Sequence, residues 1–313
     1  MRKQFLNRTA WAIFLALVLI PCSHFVAAQE HASFNTADEA VSALIMALEK
    51  RDTAMLATLL GPDSEDIFDS GDEVADANAL ADFLARYEAG HSLVEEGENT
   101  VVLQVGDNDW PLPVPIVERD GKWYLDGAAG VDEIVYRRIG RNELGAIAVC
   151  RGFVDAQLEY AAEGHDGNPA GLFAAKLRSD PGQHNGLFWP AQEGEPQSPV
   201  GEAVARAAAE GYRAVTGKRN PYHGYYYRML YGQGSAADGG AQEYYVDGVL
   251  AQGVALIAWP ADYGVSGVMS FMVNHDGDVY QKDMGEDTAI AVDTIAVFDP
   301  DGSWSKVDPD EDE

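Results

Sequence analysis

The hydrophobic period of this chain passes from helical spacing to a spacing of two, and it does so twice. That order, helices and then alternating strands joined by short turns, defines α+β layers. Residues 36–60 read as two helices, with Ala40, Val41, Leu44, Ile45 and Leu48 on one buried face and Leu56, Leu59 and Leu60 on the next. Thr36 and Glu39 form a capping box, Asp52 caps the second helix, and Gly61-Pro62 stops it. Leu80, Phe83, Leu84 and Tyr87 mark a third helix. From Thr100 the period is two, and strands are expected over 101–105, 112–118 and 122–125. Alternating Pro111, Pro113 and Pro115 leave their strand at most one bonding edge. Residues 29–130 are therefore expected to form an N-terminal α+β domain, in an order that resembles nuclear-transport-factor-2-like and cystatin-like cones.

The small-residue stretch 126–130 is expected to break the chain, and helix to resume over 132–163. Leu144, Ile147, Cys150, Val154, Leu158 and Ala161 trace an apolar stripe on that helix, which makes Cys150 a packing cysteine. Residues 164–200, rich in Gly, Pro, Asn and Gln, form a long irregular loop. A short Ala-rich helix and strands at 225–230, 244–246, 254–259, 268–273 and 279–280 follow. A last hairpin is expected between 295–298 and 304–307. This second α+β domain, 131–307, resembles the globular part of pilin-like proteins. Arg137, Arg138 and Arg141 at the start of its helix argue against filament assembly through that helix. The acidic tail 308–313 is expected to be disordered.

Charge narrows the partners. The 313 residues carry 21 Lys plus Arg against 51 Asp plus Glu, a net charge of −30, while 47% hydrophobic residues exclude a disordered acidic chain. Such a balance opposes nucleic acid and anionic lipid and permits cationic partners, divalent metal or solubility in high salt. Arg2, Lys3 and Arg8 precede the apolar run Ala10–Ile20, Pro21 breaks it, and Val26-Ala27-Ala28 supplies a cleavage site. A signal peptide over 1–28 is expected, and with it a periplasmic or secreted product still more acidic than the whole chain. Leu19-Ile20-Pro21-Cys22 looks like a lipobox, but a small residue is expected where Pro21 stands. No later segment is long and apolar enough to span a membrane.

Few motifs carry chemistry. Ser70 and Asp72 flank Gly71 in a polar loop and read either as parts of a nucleophilic site or as a helix-capping turn. Asn274 to Asp278 hints at calcium, yet Val279 and Gly285 stand where an EF-hand loop needs Gly and Glu, so a hairpin turn explains the letters better. Lys282 beside Asp283 reads as a catalytic or ligand-pairing amine, or more commonly as an ion pair on a strand. The histidines show no metal spacing, and the Gly232–Gly240 stretch lacks the Lys-Ser/Thr of a phosphate cradle. No metal or cofactor is expected. Tyr222, Tyr225, Tyr226, Tyr227 and Tyr231 suggest stacking on sugar or peptide, but alternation puts Tyr226 opposite Tyr225 and Tyr227, and core filling by one face with a solvated or partner-facing other explains them better. This strip and the 164–200 loop are the best places for a partner, an envelope protein or a cell-wall polymer.

Leu60-Gly61-Pro62, Ser70-Gly71-Asp72, Trp259-Pro260-x-x-Tyr263-Gly264-x-Ser266-Gly267 and Tyr280-Gln281-Lys282-Asp283 together resemble an exported bacterial family known as domain of unknown function 2950. The resemblance spans nearly all of residues 34–307 and implies the cell envelope. It implies no activity, cofactor or catalytic residue. The reading is an exported, non-enzymatic binding or structural module; the alternative is a small-molecule carrier or hydrolase with its pocket near Ser70-Gly71-Asp72.

Overall fold

The computed structural model describes residues 31–191, 194–212 and 220–308. The expected signal peptide, and all of the acidic tail but Asp308, lie outside these residues. The class is α+β, with helices packed on antiparallel sheets.

Helices α1 (Ala37–Lys50) and α2 (Thr53–Leu60) form the expected pair, capped by Thr36 and Asp52. The capping box is shifted by one residue, because Glu39 Oε2 accepts from the backbone N–H of Asn35 at 2.9 Å. After a single 3-10 turn, Glu65–Ile67, helix α3 (Glu73–Ala89) follows. Strands β1 (His91–Gly97), β2 (Thr100–Val105), β3 (Trp110–Pro111), β4 (Ile116–Arg119) and β5 (Lys122–Leu125) build the first sheet in the order β1-β2-β4-β5, with β3 also on β2. Two expectations change here. β1 was not expected because none of its residues is fully buried, which leaves no apolar alternation to read. Of the expected strand 112–118 only 116–118 forms, as part of β4, and the residues between β3 and β4 leave the ladder where Pro113 and Pro115 cannot donate.

Helix α4 (Gly127–Ala162) is one unbroken rod of 36 residues, about 54 Å long. The small residues 126–130, expected as a break, are its cap and first turn, with Asp126 Oδ1 accepting from Ala129 N. They are small for a packing reason. A Cβ on Gly127 would lie 2.4 Å from the Leu60 carbonyl oxygen, and one on Gly130 2.8 Å from Val114 Cγ2. α4 thus starts against the core of α1, α2 and the first sheet, to which Ile134 also packs. It ends in a second core through Ala146, Ile147, Cys150, Phe153 and Val154. The buried arc is rotated from the expected stripe, leaving Leu144 and Leu158 exposed and taking in Gln157. Gln157 is accommodated by a two-way bond to the Ala174 backbone, at 3.1 and 2.9 Å.

Beyond the irregular segment and α5 (Gly201–Ala209) come β6 (Tyr225–Leu230), β7 (Gly232–Gln233), β8 (Gln242–Glu243), β9 (Tyr245–Val246), β10 (Val249–Leu250), β11 (Ala255–Pro260), β12 (Met269–Asn274), β13 (Val279–Asp283), α6 (Thr288–Asp293) and β14 (Ser305–Lys306). The second sheet runs β14-β13-β12-β11-β6, so β6 is an end strand. The expected hairpin between 295–298 and 304–307 does not form. Phe298 instead bonds Gly232 and Gly234, and β14 pairs with β13.

Candidate functional site

Ser70 and Asp72 sit where the two cores meet. Asp72 caps α3 by accepting from Val74 N at 3.2 Å and Ala75 N at 3.1 Å on Oδ1. Its Oδ2 accepts from Tyr212 Oη and from Gly224 N, both at 2.9 Å. Ser70 Oγ donates to Asp76 Oδ1 at 2.6 Å, and the Ser70 N–H donates to Asp76 Oδ2 at 3.0 Å. Ser70 and Asp72 are each only 1% exposed. Burial holds the Asp76 carboxyl above the usual carboxylate range despite these bonds. Burial, then the neighbouring Asp72 charge, likewise raises the Tyr212 phenol. Arg138 on α4 reaches the same region and donates to the Ile67 carbonyl at 2.9 Å.

A small cleft of about 230 Å³ opens near this loop, lined by Pro260, Asp262, Tyr263, Glu286 and Thr288 among others. Gly71 approaches it, since a Cβ there would be 3.7 Å from Asp262 Cβ. Burial raises the Asp262 carboxyl, and Asp66 and Asp69 add to the effect. Asp283 accepts from the hydroxyl of the cleft residue Tyr263 at 3.0 Å. Lys282 does not pair with Asp283, because adjacent residues on a strand face opposite ways. It donates to Ser303 Oγ at 2.8 Å and lies 5.8 Å from the centre of the Trp304 ring. Among the described residues no group of three His, Cys, Asp or Glu could hold a metal ion. The Asn274–Asp278 segment is a hairpin turn, closed by Gly277 N donating to Asn274 O at 3.0 Å.

The second candidate region lies between β6 and the long loop. Lys176 and Leu177 of the long loop join Arg228, Met229, Tyr231 and Ala296 around a groove of about 510 Å³. Tyr231 and Tyr245 pack at 5.5 Å between ring centres, and each is 40% exposed. Arg228 Nη2 donates to the carbonyls of Val292 at 2.7 Å and Ile295 at 2.9 Å. Tyr226, which faces away from Tyr225 and Tyr227, is half-buried against Trp259 at 5.7 Å. Tyr225 is fully buried, its hydroxyl donating to Met269 O at 2.8 Å.

The sequence model of a family described as "Protein of unknown function (DUF2950)" matches residues 31–307, nearly the whole chain. The chain belongs to the DUF2950 family. Comparisons with curated proteins and with solved structures each returned no match. In this DUF2950 chain the segment Trp259 to Gly267 closes β11 and docks onto α4. Asn142 Nδ2 donates to Ser266 O at 2.9 Å, and Glu143 Oε1 accepts from Val268 N and Met269 N, both at 2.9 Å. A Cβ on Gly267 would lie 2.2 Å from Tyr225 Oη, so glycine lets the turn reach that ring.

Asn142, Glu143, Tyr212 and Arg228 were not singled out by sequence reasoning. A signal existed for Asn142, because Arg138, Asn142, Ala146 and Cys150 recur every four residues and all are buried on α4. Tyr212 and Arg228 carry none, since long-range contacts give them their roles. Among the described residues no helix is long and apolar enough to cross a membrane.

Proposed function

We propose that this chain is an exported envelope protein acting as a non-enzymatic binding module, with the groove beside β6 as its contact surface. The observation carrying this reading is the groove's composition. Exposed Leu177 and Tyr231, the latter packed on exposed Tyr245, line it together with Lys176 and Arg228 in a chain of net charge −30. Aromatic and arginine side chains are the enriched anchors of protein interfaces, and such a patch on so acidic a surface selects its occupant by charge. The leader 1–28 supports export. The alternative of a hydrolase at the small cleft is weakened by Ser70, whose buried hydroxyl is committed to Asp76. No substrate carbonyl can approach an oxygen so enclosed.

Another envelope protein is the favoured occupant. The test is sedimentation of the purified chain with cell-wall sacculi and with envelope-protein extract, each with and without protease, alongside a Leu177→Glu/Tyr231→Ser variant. The expected result is protease-sensitive binding to the extract, weakened about tenfold or more in the variant. Binding that survives protease and disappears on muramidase digestion assigns the groove to the polymer. Absence of binding to both, or equal binding by the variant, contradicts the reading.

A further inference from the structure

The outer edge of β6 is closed at both ends and open between them. Pro260 has no N–H, so its pairing with Tyr225 is not a doubly bonded one; the bonded pairs of β6 with β11 are Tyr226–Trp259, Arg228–Ile257 and Leu230–Ala255. The backbone groups of the odd-numbered residues therefore point away from β11. Tyr225 spends its pair on Tyr222, by bonds of 3.2 and 2.8 Å, and Tyr231 O accepts from Tyr244 N at 3.3 Å. Between these two clips, the N–H and C=O of Tyr227 and Met229 have no hydrogen-bond partner among the described residues. Met229 is nevertheless only 6% exposed. Backbone groups in so buried a position are normally paired.

The groove borders this stretch at Arg228 and Met229, and Lys176, Leu177, Tyr231 and Ala296 complete its lining. Among the described residues, Lys176 and Arg228 are the only charged ones lining it. Lys176 Nζ is held by Asp180 at 2.5 Å. Arg228 is fixed by two carbonyls and has no carboxylate partner among the described residues. We propose that an extended peptide segment of a partner protein adds to β6 as a further strand across Tyr227 and Met229, presenting an acidic side chain to Arg228. Strand addition supplies main-chain bonds for affinity and a side-chain contact for choice. A residue facing Arg228 across the new pair would lie within reach of its guanidinium, cross-strand Cβ atoms being about 5 Å apart. The acidic surface elsewhere repels the same segment, so attraction is confined to this groove.

This inference rests on the binding reading above, and its test separates the two. The probe is an acetylated, amidated hexapeptide of alternating valine and threonine with one central glutamate, compared with its lysine counterpart and with a version N-methylated at alternate residues. Binding is measured by calorimetry and by hydrogen exchange at the Tyr227 and Met229 amides. The glutamate peptide is expected to bind and slow exchange at both amides, with N-methylation abolishing both effects. The lysine peptide, or the Arg228→Gln variant, is expected to lose about tenfold in affinity. Arg228→Lys keeps the charge and is expected to retain the preference for glutamate, which separates charge recognition from damage to the fold. No protection of either amide at millimolar peptide overturns the proposal. Equal binding after N-methylation overturns strand addition alone and leaves the groove as a contact surface.

Discussion

Asp72 Oδ2 accepts a hydrogen bond from the backbone N–H of Gly224 at 2.9 Å, joining the start of α3 to the start of β6 across 152 residues of chain. The same oxygen accepts from Tyr212, whose hydroxyl accepts in turn from His223 N at 3.2 Å. A buried carboxylate so placed ties the first α+β part of the chain to the strand that borders the groove. Gly224 leaves no room for adjustment, since a Cβ there would lie 2.4 Å from Asn142 Nδ2.

Removing this carboxylate strands buried donors. Asp72→Ala is expected to lower the unfolding free energy by about 3 kcal/mol, and Asp72→Asn by about 2 kcal/mol because one cap oxygen survives. Ser70→Ala is expected to cost about 1 kcal/mol. Urea unfolding followed by far-ultraviolet circular dichroism measures all three. An Asp72→Ala chain as stable as the parent would remove the junction from this account.

Glycines of α4 separate two physical roles by the sign of their effect. At Gly140 and Gly152 an alanine methyl would meet nothing within 4 Å, so Gly140→Ala and Gly152→Ala are expected to stabilise by roughly 0.5–1 kcal/mol each. Gly130→Ala is expected to destabilise by about 2 kcal/mol despite the same helix preference, because its methyl meets Val114 and the Pro113 carbonyl oxygen at 2.9 Å or less. Thermal melts of the three variants check the signs. A stabilised Gly130→Ala would mean that α4 does not start against the first core.

Alkaline pH should weaken the fold through its buried acids. Burial pushes the Cys150 thiol from 9.0 up to about 12 and the Tyr244 phenol from 10.0 up to about 12. Above pH 9 the unfolded chain releases these protons first, so the folded chain holds more of them and stability falls with rising pH. The contribution is whole below about pH 9 and is lost progressively toward pH 12. The urea midpoint is expected to fall across this window, more steeply than in Cys150→Ala. A midpoint flat from pH 9 to 11 would contradict the burial of these groups.

The sequence carried the α+β class, the first helix pair and most central strands of the second sheet, because each has a strong local period. Elements without such a period were hidden. β1 buries none of its seven residues and so shows no apolar alternation, and residues 126–130 look like a break unless their close approach to Leu60 and Val114 is known. Residues 295–298 suit a hairpin locally, yet Phe298 finds a better partner in Gly232. A cap at Ser70 or Asp72 was legible and falls to Asp72, but nothing local connects Asp72 with Gly224. The groove was legible as two separate halves, the long loop and the tyrosine strip. Its cation Arg228 was not, because a lone arginine on a strand has meaning only once α6 and the 295–298 segment lie beside it.

The most direct test of the central claim is photocrosslinking in living cells, with a photoreactive side chain at Leu177 in the groove or at Ile290 on α6, which is 70% exposed. A discrete, protease-sensitive adduct from position 177 that is absent from position 290 is the predicted result. The same products from both positions, or no adduct from position 177, would contradict the groove as the contact surface.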